Sequence, residues 1–182
     1  MFSVALLLAL AAFAPILPTS SVDQAAIAVC FATEEDCAAL AVRAINNAER
    51  EILVGAYGLT TGSRIVEALI LAKKRGVDVR LIADKTTPCE RESGIEPLAA
   101  AGVPIWIDAQ ARVAHAKAMV IDGAVTLMGS MHWTAVNSED LNLVSSPAVA
   151  AAYAPHWHNR VAVSVQFDRR EDWCWASSAA AR

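Results

Sequence analysis

Three short apolar runs separated by helix-like segments constrain the fold of this chain more than any other feature. Residues 51–57 ("EILVGAY"), 78–84 ("DVRLIAD") and 103–108 ("VPIWID") have the length and side chains of buried strands. Residues 63–76 and 94–102 lie between them and show helical spacing of apolar positions. Strands joined by helices pair in parallel through right-handed crossovers. The order therefore predicts an α/β sandwich with helices packed on a sheet.

Helix-capping residues refine this prediction. Thr33, followed by the acidic residues 34–36, is typical of an N-cap with a negatively charged first turn, and apolar spacing continues to Ala48. Ser63 is in the position of an N-cap for the second helix. We therefore expect a helix before the first strand and another directly after it.

The second half of the chain begins with an apparent hairpin. Asp122-Gly123 is a two-residue type I′ turn signal, so residues 115–121 and 124–128 should pair antiparallel. Residues 140–146 resemble a further strand, and Ser146-Pro147 starts a helix in which Pro155 should produce a kink. The predicted architecture is α/β, with a mixed, mostly parallel sheet flanked by helices.

The N-terminus carries an apolar stretch at residues 4–17 and no charged side chain within residues 1–22. The length suits the hydrophobic region of a signal peptide, which predicts export to the periplasm or the medium. A basic segment before the apolar stretch is missing, so a short membrane anchor is the alternative. We expect a catalytic domain over residues 23–167 and a C-terminal tail over 168–182.

Export changes the interpretation of the four cysteines. An even number in an oxidising compartment favours disulfides. Cys30 and Cys37 flank a short loop before the first helix, and we predict that they pair. Pairing of Cys89 with Cys174 is the second expectation, and free buried thiols are the alternative.

Composition limits the classes of partner. The chain has 182 residues, of which 55% are hydrophobic and 19% charged, so it is long enough for one domain with a core and is not a disordered chain. The formal charge is −4, so binding to nucleic acid would require a local basic surface. The basic residues that could supply one are Lys73, Lys74, Arg75, Arg80, Lys85 and Arg91.

The hairpin carries side chains that a core does not need. His115 and Lys117 are two residues apart, so a strand would place them on one face, and Gly129 and Ser130 end the partner strand. Covalent cleavage of a phosphodiester requires a nucleophile, a proton donor for the departing oxygen, and cations for the negative charge of the transition state. Imidazole, ammonium and hydroxyl groups supply these functions.

The spacing His115-x-Lys117-(x)4-Asp122-(x)6-Gly129-Ser130 resembles the HKD motif of the phospholipase D superfamily, HxKxxxxDxxxxxxGS. Residues from about 30 to 165 are similar to the small bacterial Nuc-type endonucleases of that superfamily. The resemblance implies that His115 attacks phosphorus and that Lys117 and Ser130 bind phosphate oxygens, without a metal or other cofactor. We assign Asp122 to the turn, because aspartate before glycine is above all a turn former.

Two positions depart from the family pattern. His132 stands where relatives carry Asn in GSxNxT. We expect His132, Gly129 and Asn137 to contribute to substrate binding. Glu139 follows Asn137 at a shorter spacing than in some relatives, and the resemblance gives it the role of orienting the His115 imidazole.

One motif per chain predicts assembly. The family mechanism uses a second histidine to protonate the leaving group, and this chain contains no internal repeat. The resemblance therefore implies a homodimer with two His115 residues facing each other across a two-fold axis.

Three functions are compatible with these features. The first, which the resemblance favours, is a non-specific endonuclease acting on DNA or RNA, and the other two are alternatives. The second is a phospholipase D acting on phosphatidylcholine-type lipids. The third is a phosphate-binding module that has lost turnover through His132. A basic groove would favour nucleic acid, whereas a near-neutral site with an exposed apolar rim would favour lipid.

Overall fold

The computed structural model describes residues 25–135, 139–171 and 173–174. Within this part of the chain, one eight-stranded sheet has the order β1-β7-β6-β5-β2-β3-β4-β8. The strands are β1 (Ala26–Phe31), β2 (Glu51–Ala56), β3 (Asp78–Asp84), β4 (Ile105–Asp108), β5 (Ala118–Ile121), β6 (Val125–Gly129), β7 (Asp140–Ser145) and β8 (Val165–Gln166). The helices are α1 (Cys37–Asn46), α2 (Ile65–Lys74), α3 (Ile95–Ala100) and α4 (Pro147–Val161).

The predicted α/β sandwich is confirmed at the centre of the sheet. Strands β2, β3 and β4 pair in parallel, and α2 and α3 provide the crossovers between them. The other pairs of described strands, including β2 with β5, are antiparallel. The sheet is mixed as expected, but parallel pairing is the minority, because β5, β6 and β7 follow one another as antiparallel neighbours and α4 leads from β7 to β8 at the far side of the sheet.

Strand β1 was absent from the sequence prediction. It pairs antiparallel with β7 and forms one edge of the sheet, with Ala26 opposite Ser145 and Phe31 opposite Asp140. Three of its side chains are at least half exposed: Ile27 at 61%, Val29 at 50% and Phe31 at 51%. This strand is stabilised by pairing with β7, which lies far away in the sequence. The spacing of residues within 26–31 therefore does not predict it.

The caps of the first two helices differ from those predicted. Asp36, not Thr33, is the N-cap of α1, and its carboxylate accepts a hydrogen bond from the Ala39 N–H at 3.0 Å. The N-cap of α2 is Arg64, which has a left-handed backbone with φ of 64°. Ser63 instead donates its hydroxyl to the Thr60 carbonyl at 2.8 Å, so it stabilises the turn before the helix.

The turn between β5 and β6 contains three residues, one more than predicted. Asp122 and Gly123 have φ of 53° and 64°, and the Ala124 N–H donates to the Ile121 carbonyl at 3.0 Å. Ile121 is nevertheless paired with Val125, so Ala124 is an additional residue in the turn. The partner strand is therefore shifted by one residue relative to the expected register.

The sheet has a core on each face. On one face, α1, α2 and α3 cover a large cluster that includes Ile45, Leu69 and Leu98. On the other face, α4 covers a smaller cluster that includes Leu53, Ile82, Val120 and Trp157. Pro155 lies inside α4, which continues through it to Val161.

Two disulfides connect segments at the periphery. Cys30 in β1 is bonded to Cys37 at the start of α1, and Cys89 is bonded to Cys174. The second bond and the stacking of Trp173 on Phe167 hold the beginning of the predicted tail against the domain. Residues 1–22 of the predicted leader lie outside the described residues. Among the helices of the described ranges, none is long and apolar enough to span a membrane.

Candidate active site

Four strand ends meet at one end of the sheet, and two of them carry the motif residues His115, Lys117, Gly129 and Ser130. The segment with His115 and Lys117 leads into β5, and Ser130 follows the last residue of β6. Tyr57 follows β2, and β7 begins at Asp140. Because β5 runs antiparallel to both β2 and β6, its start lies beside their ends.

His115 lies on an exposed segment that has no regular secondary structure. The residue before it is fixed by a hydrogen bond in which the Ala114 N–H donates to Asp84 Oδ2 at 2.6 Å. The other carboxylate oxygen of Asp84 accepts from the Thr86 N–H and hydroxyl at 2.9 and 2.6 Å. Asp84 is 1% exposed at the end of β3. The sequence analysis missed this residue, although a polar side chain ending a buried strand is a signal that could have identified it.

Lys117 is 7% exposed, and its ammonium group points at the histidine. Nζ lies 2.9 Å from Nδ1 and 3.0 Å from Nε2 of His115, and it donates to the His115 carbonyl at 3.3 Å. Nζ also lies 5.1 Å from the centre of the Tyr57 ring. Burial lowers the pKa of Lys117, and the charge of Glu139 opposes this shift. The arrangement places a cation directly beside the imidazole.

Three rings, those of Tyr57, His115 and His132, pack against one another beside Lys117. The Tyr57 ring centre is 4.4 Å from that of His115 and 5.4 Å from that of His132. The two imidazoles are 5.9 Å apart in an edge-to-face arrangement. A Cβ added to Gly58 would lie 3.1 Å from His132 Nδ1, so this glycine leaves room for the ring. The structure thus brings His132 to the site, beside His115.

The pKa of His132 is lowered. Burial is the main cause, and the positive charge of Lys117 acts in the same direction. Glu139 opposes the shift, and His115 adds a smaller lowering. The His132 ring is therefore neutral over more of the pH range than an ordinary histidine.

Ser130 is hydrogen-bonded to an acidic residue that the sequence analysis did not identify. Its hydroxyl donates to Asp140 Oδ1, and the Asp140 N–H donates back to Ser130 Oγ at 3.1 Å. Asn142 Nδ2 donates to Asp140 Oδ2 at 2.9 Å. The bond from Ser130 is the largest cause of a lowered pKa of Asp140. The hydroxyl would have to turn away from Asp140 to donate to a phosphate oxygen.

Gly129 is required by its backbone neighbour. A Cβ at this position would lie 2.3 Å from the Asp140 carbonyl oxygen, closer than real side chains allow. The glycine therefore permits β6 and β7 to approach at the point where the serine follows.

The acidic and amide residues of the next loop are only partly described. Glu139 is half-buried, and its charge acts on Lys117 and His132. Asn137, the other residue expected here, lies outside the described residues.

Asp122 is at the opposite end of the hairpin from this site. Its carboxylate accepts hydrogen bonds from the backbone N–H groups of Glu49, Arg50 and Glu51 at 2.8 to 2.9 Å. Arg50 also donates a side-chain N–H to the Asp122 carbonyl at 2.6 Å. The residue connects the turn to the loop that precedes β2.

The histidines of α4 lie apart from the pair His115 and His132, although His156 lines the same cavity as Lys117, between the sheet and α4. His156 and His158 are exposed on the helix, and His158 packs edge-to-face on Trp157 at 5.1 Å. Within the described ranges, no group of three His, Cys, Asp or Glu side chains could hold a metal ion.

The chemistry available at this edge is nucleophilic substitution at an anionic centre. An exposed imidazole can attack, the adjacent ammonium can balance negative charge, and a second imidazole and a hydroxyl lie close by. His115 has the access to solvent that a large substrate requires.

Sequence comparisons point to one family. Residues 41–160 match the family described as "Cardiolipin synthase, PLD-like domain". A phospholipase D of Rickettsia conorii is 30% identical over 147 residues, which are 79% of this chain and 73% of the relative. A mitochondrial cardiolipin hydrolase of Xenopus tropicalis is 34% identical over 93 residues, which are 49% of this chain and 44% of the relative.

Solved structures agree with this result. Nuc from Salmonella typhimurium, described as a phospholipase D family member, aligns with a TM-score of 0.73 and 28% identity, covering 79% of this chain and 99% of Nuc. NucT from Helicobacter pylori aligns with a TM-score of 0.71 over 79% of this chain and all of NucT, at 18% identity, which supports the fold alone.

Proposed function

The chain belongs to the phospholipase D superfamily and is a hydrolase of phosphodiester bonds, and from this premise we propose that it acts through a phosphohistidine on His115. One observation carries the proposal. The His115 imidazole is exposed, and the Lys117 ammonium lies 2.9 Å from its Nδ1. A nucleophile and a charge-balancing cation therefore share one location where a phosphodiester can enter.

The first step forms a bond between a ring nitrogen of His115 and phosphorus. The bond from phosphorus to the leaving alcohol breaks, and the alcohol oxygen takes a proton from a second imidazole. Lys117 balances the negative charge on the phosphoryl oxygens. Ser130 supplies a hydrogen bond to the same oxygens once its hydroxyl turns from Asp140.

The second step releases the enzyme. Water attacks phosphorus, the bond between phosphorus and nitrogen breaks, and the second imidazole takes the proton of the water. We assign this second imidazole to His115 of another copy, in a homodimer with the site at the two-fold axis. The support is the single motif in the chain together with the exposure of His115, which allows a second copy to approach.

Glu139 completes the charge balance of the site in this proposal. Its charge acts on both Lys117 and His132. A carboxylate here favours the protonated form of the groups that must hold or donate a proton. The orienting role for His115 that the resemblance gives to Glu139 rests on the family pattern, and Asn137 is proposed with it as a substrate-binding residue.

We propose a phospholipid as the first candidate for the substrate class. Val113, two residues before His115, is 46% exposed, and Ala116 is exposed on its other side. This apolar rim and the formal charge of −4 suit a lipid headgroup and its chains better than a polyanion. The relatives of Rickettsia that match this chain carry the name phospholipase D.

Nucleic acid is the second candidate. It is favoured by the alignment with Nuc, which covers 99% of that chain at 28% identity, and by the resemblance of the sequence to Nuc-type endonucleases. Binding of this kind would draw on exposed basic residues such as Arg91 and Arg112.

Export is proposed together with this activity. The disulfides Cys30–Cys37 and Cys89–Cys174 support an oxidising compartment, since cytosolic thiols are kept reduced. Residues 1–22 are proposed as the signal peptide, or as a short anchor that would keep the catalytic domain at a membrane.

The test compares substrates under identical conditions. Purified protein is incubated in EDTA with phosphatidylcholine vesicles, with plasmid DNA and with the chainless diester bis(p-nitrophenyl) phosphate. His115→Ala should lose turnover of every substrate that the wild type cleaves, while the fold stays intact because the side chain is exposed. His158→Ala, which removes another exposed histidine, is the matched control and should retain turnover.

Acid quench during turnover provides the direct readout. Labelled phosphate should remain on the wild-type chain and be absent from His115→Ala. A chain that turns over substrate without ever retaining label would overturn the covalent route. Binding without cleavage of any of the three substrates would mean that only phosphate affinity remains.

A further inference from the structure

A cavity of about 300 Å³ lies between the sheet and α4, on the face opposite the larger core. The large apolar and aromatic side chains of its wall are Leu53, Ile82, Val120, Met128, Tyr153 and Trp157. A volume of this size is at the lower end of that of small-molecule sites, which are mostly apolar.

Small residues create this space. Gly55 and Ala118, which are paired between β2 and β5, line the cavity together with Ala116. A Cβ on Gly55 would only reach ordinary contact with Ala116, at 3.5 Å. The cavity therefore results from which side chains are present, since the backbone would accept larger ones here.

Several polar groups of the wall are hydrogen-bonded within the protein, and Lys117 and the exposed His156 also contribute to the wall. Arg160 donates two hydrogen bonds to Asp108, at 2.8 and 2.7 Å, and Trp157 Nε1 donates to the Val54 carbonyl at 2.9 Å. The Tyr153 hydroxyl lies 3.2 Å from Met128 Sδ, which is a weak acceptor. A ligand in this cavity would meet mainly hydrocarbon and sulfur, so an apolar chain suits it better than a polar molecule.

The cavity is continuous with the catalytic site. Lys117 and Gly129 both line the cavity. Lys117 is also two residues from His115, and Gly129 directly precedes Ser130, so both residues belong to the catalytic site as well. A molecule with its phosphate at Lys117 could therefore extend an attached chain into the cavity without crossing the sheet.

The exposed side chains of β1 lie on the same face of the sheet as the cavity. Ala118 pairs with Met128, Met128 with Asn142, and Asn142 with Val29, and directly paired residues share a face. Ile27 and Phe31 are on this face too, since they are two residues from Val29. Outside the area that α4 covers, this face of the sheet therefore presents exposed apolar side chains.

We propose that the cavity binds one acyl chain of a phospholipid whose phosphate is held at Lys117 and His115. The inference rests on the proposed phosphodiesterase function and adds a chain-binding site to it. Each methylene that enters the cavity from water should improve kcat/KM by about fourfold.

The experiment measures hydrolysis as a function of chain length. Dibutyryl, dihexanoyl and dioctanoyl phosphatidylcholine are supplied as monomers, below the concentrations at which they form micelles, and bis(p-nitrophenyl) phosphate measures chemistry without a chain. For the wild type, kcat/KM should rise on the order of 10-fold or more from dibutyryl to dioctanoyl lipid, because more methylenes are buried.

Two variants change the cavity in opposite directions. Ala118→Leu fills part of it and should reduce the rise with chain length at least about fivefold. Tyr153→Ala enlarges it and should move the preference towards longer chains. Both should hydrolyse bis(p-nitrophenyl) phosphate at the wild-type rate, and Ala152→Leu, on the exposed side of α4, should behave as wild type throughout.

The outcomes separate this inference from the proposed function. If the wild type does not hydrolyse bis(p-nitrophenyl) phosphate, the proposed function itself is contradicted. If that hydrolysis persists but chain length has no effect, or Ala118→Leu and Tyr153→Ala leave the effect unchanged, the cavity is not an acyl site. Cleavage of plasmid DNA without cleavage of any lipid would also overturn the inference, because it would assign the site to nucleic acid.

Discussion

His132 places a second ionisable ring beside His115. The resemblance to the family pattern places it where that pattern has Asn, and its ring lies 5.4 Å from Tyr57 and 5.9 Å from His115, centre to centre. Asn is neutral at every pH, whereas imidazole can take a proton. Burial and the charge of Lys117 lower the pKa of His132, so the site disfavours the charged form.

This shift predicts a pH-dependent difference between wild type and His132→Asn. The folded-state pKa lies below the ordinary value of 6.5, so the unfolded chain binds the proton more readily. The contribution to stability is fully present above pH 6.5 and decreases as the pH falls through the folded-state pKa. Thermal unfolding between pH 7.5 and 5 should show the wild type losing stability relative to His132→Asn. The other histidines are the same in both proteins, so equal losses would contradict the lowered pKa.

Activity of the same variant tests its place in the reaction. Because Asn can still donate a hydrogen bond to phosphate, His132→Asn should retain or raise turnover of bis(p-nitrophenyl) phosphate. An inactive variant that folds normally would show that the imidazole itself is needed.

Asp84 is a positioning residue that acts on the chemistry through the segment carrying His115. It is buried and holds the Ala114 N–H, and so fixes the residue that precedes His115. Asp84→Ala should lower kcat on the order of 10- to 100-fold with a smaller change in KM, because the nucleophile loses its orientation. Asp84→Asn keeps one carbonyl acceptor and should recover part of kcat. Asp78→Asn, at the half-buried start of the same strand, where Asp78 is ion-paired with Arg80, is the control.

A merely structural role for Asp84 would give a different result. In that case kcat would decrease in parallel with thermal stability in both Asp84 variants. Asp84→Asn would then recover kcat only to the extent that it recovers stability. Measuring unfolding temperature beside kcat and KM for each variant distinguishes the two roles.

At the scale of elements, the β5–β6 hairpin separates support from chemistry. Its turn is anchored by Asp122, and its open end carries Lys117 and Ser130. Because the anchoring residue and the reacting residues belong to opposite ends of two strands, a change at the turn should affect stability more than catalysis. Gly129 and the Asp140 carbonyl fix the distance to β7 at the open end.

Asp122→Ala tests this separation. Removing the acceptor of three backbone N–H groups should lower the free energy of unfolding by about 1 to 3 kcal/mol. Urea unfolding measures the loss, and bis(p-nitrophenyl) phosphate turnover under folding conditions should remain within about twofold of wild type. Asp122→Asn retains an acceptor oxygen and should be destabilised less. A large loss of turnover with little loss of stability would assign Asp122 to the chemistry instead.

At the scale of the whole molecule, the proposed mechanism needs two copies of one chain. Mixing wild type with a tenfold excess of His115→Ala, under conditions of subunit exchange, leaves only about one-tenth of wild-type chains paired with each other. Activity per wild-type chain should fall accordingly, and sedimentation velocity should show a dimer. An equal excess of an unrelated inert protein is the control. Unchanged activity from a sedimenting monomer would end the dimer proposal.

Elements of the fold that are determined by residues close together in the sequence were predicted, whereas elements that depend on distant contacts were not. The strands β2, β3 and β4 and their crossover helices follow from apolar runs and turn residues a few positions apart. Strand β1 was missed because its pairing partner β7 is more than a hundred residues away. The caps at Asp36 and Arg64 were missed because local spacing favours Thr33 and Ser63 equally well, and the Asp36–Arg64 ion pair that accompanies them is a tertiary contact.

The sequence by itself determined the chemical groups of the site and their family, because the HKD spacing lies within one continuous stretch from His115 to Ser130. Only the tertiary structure decided what surrounds those groups. It brought Tyr57, Asp84 and Asp140 to the motif from three other strand ends, and it left an apolar cavity beside Lys117. The physical reason is that spacing along a strand fixes which side chains are neighbours within it, whereas the sheet order and the packing of α4 fix neighbours from distant segments.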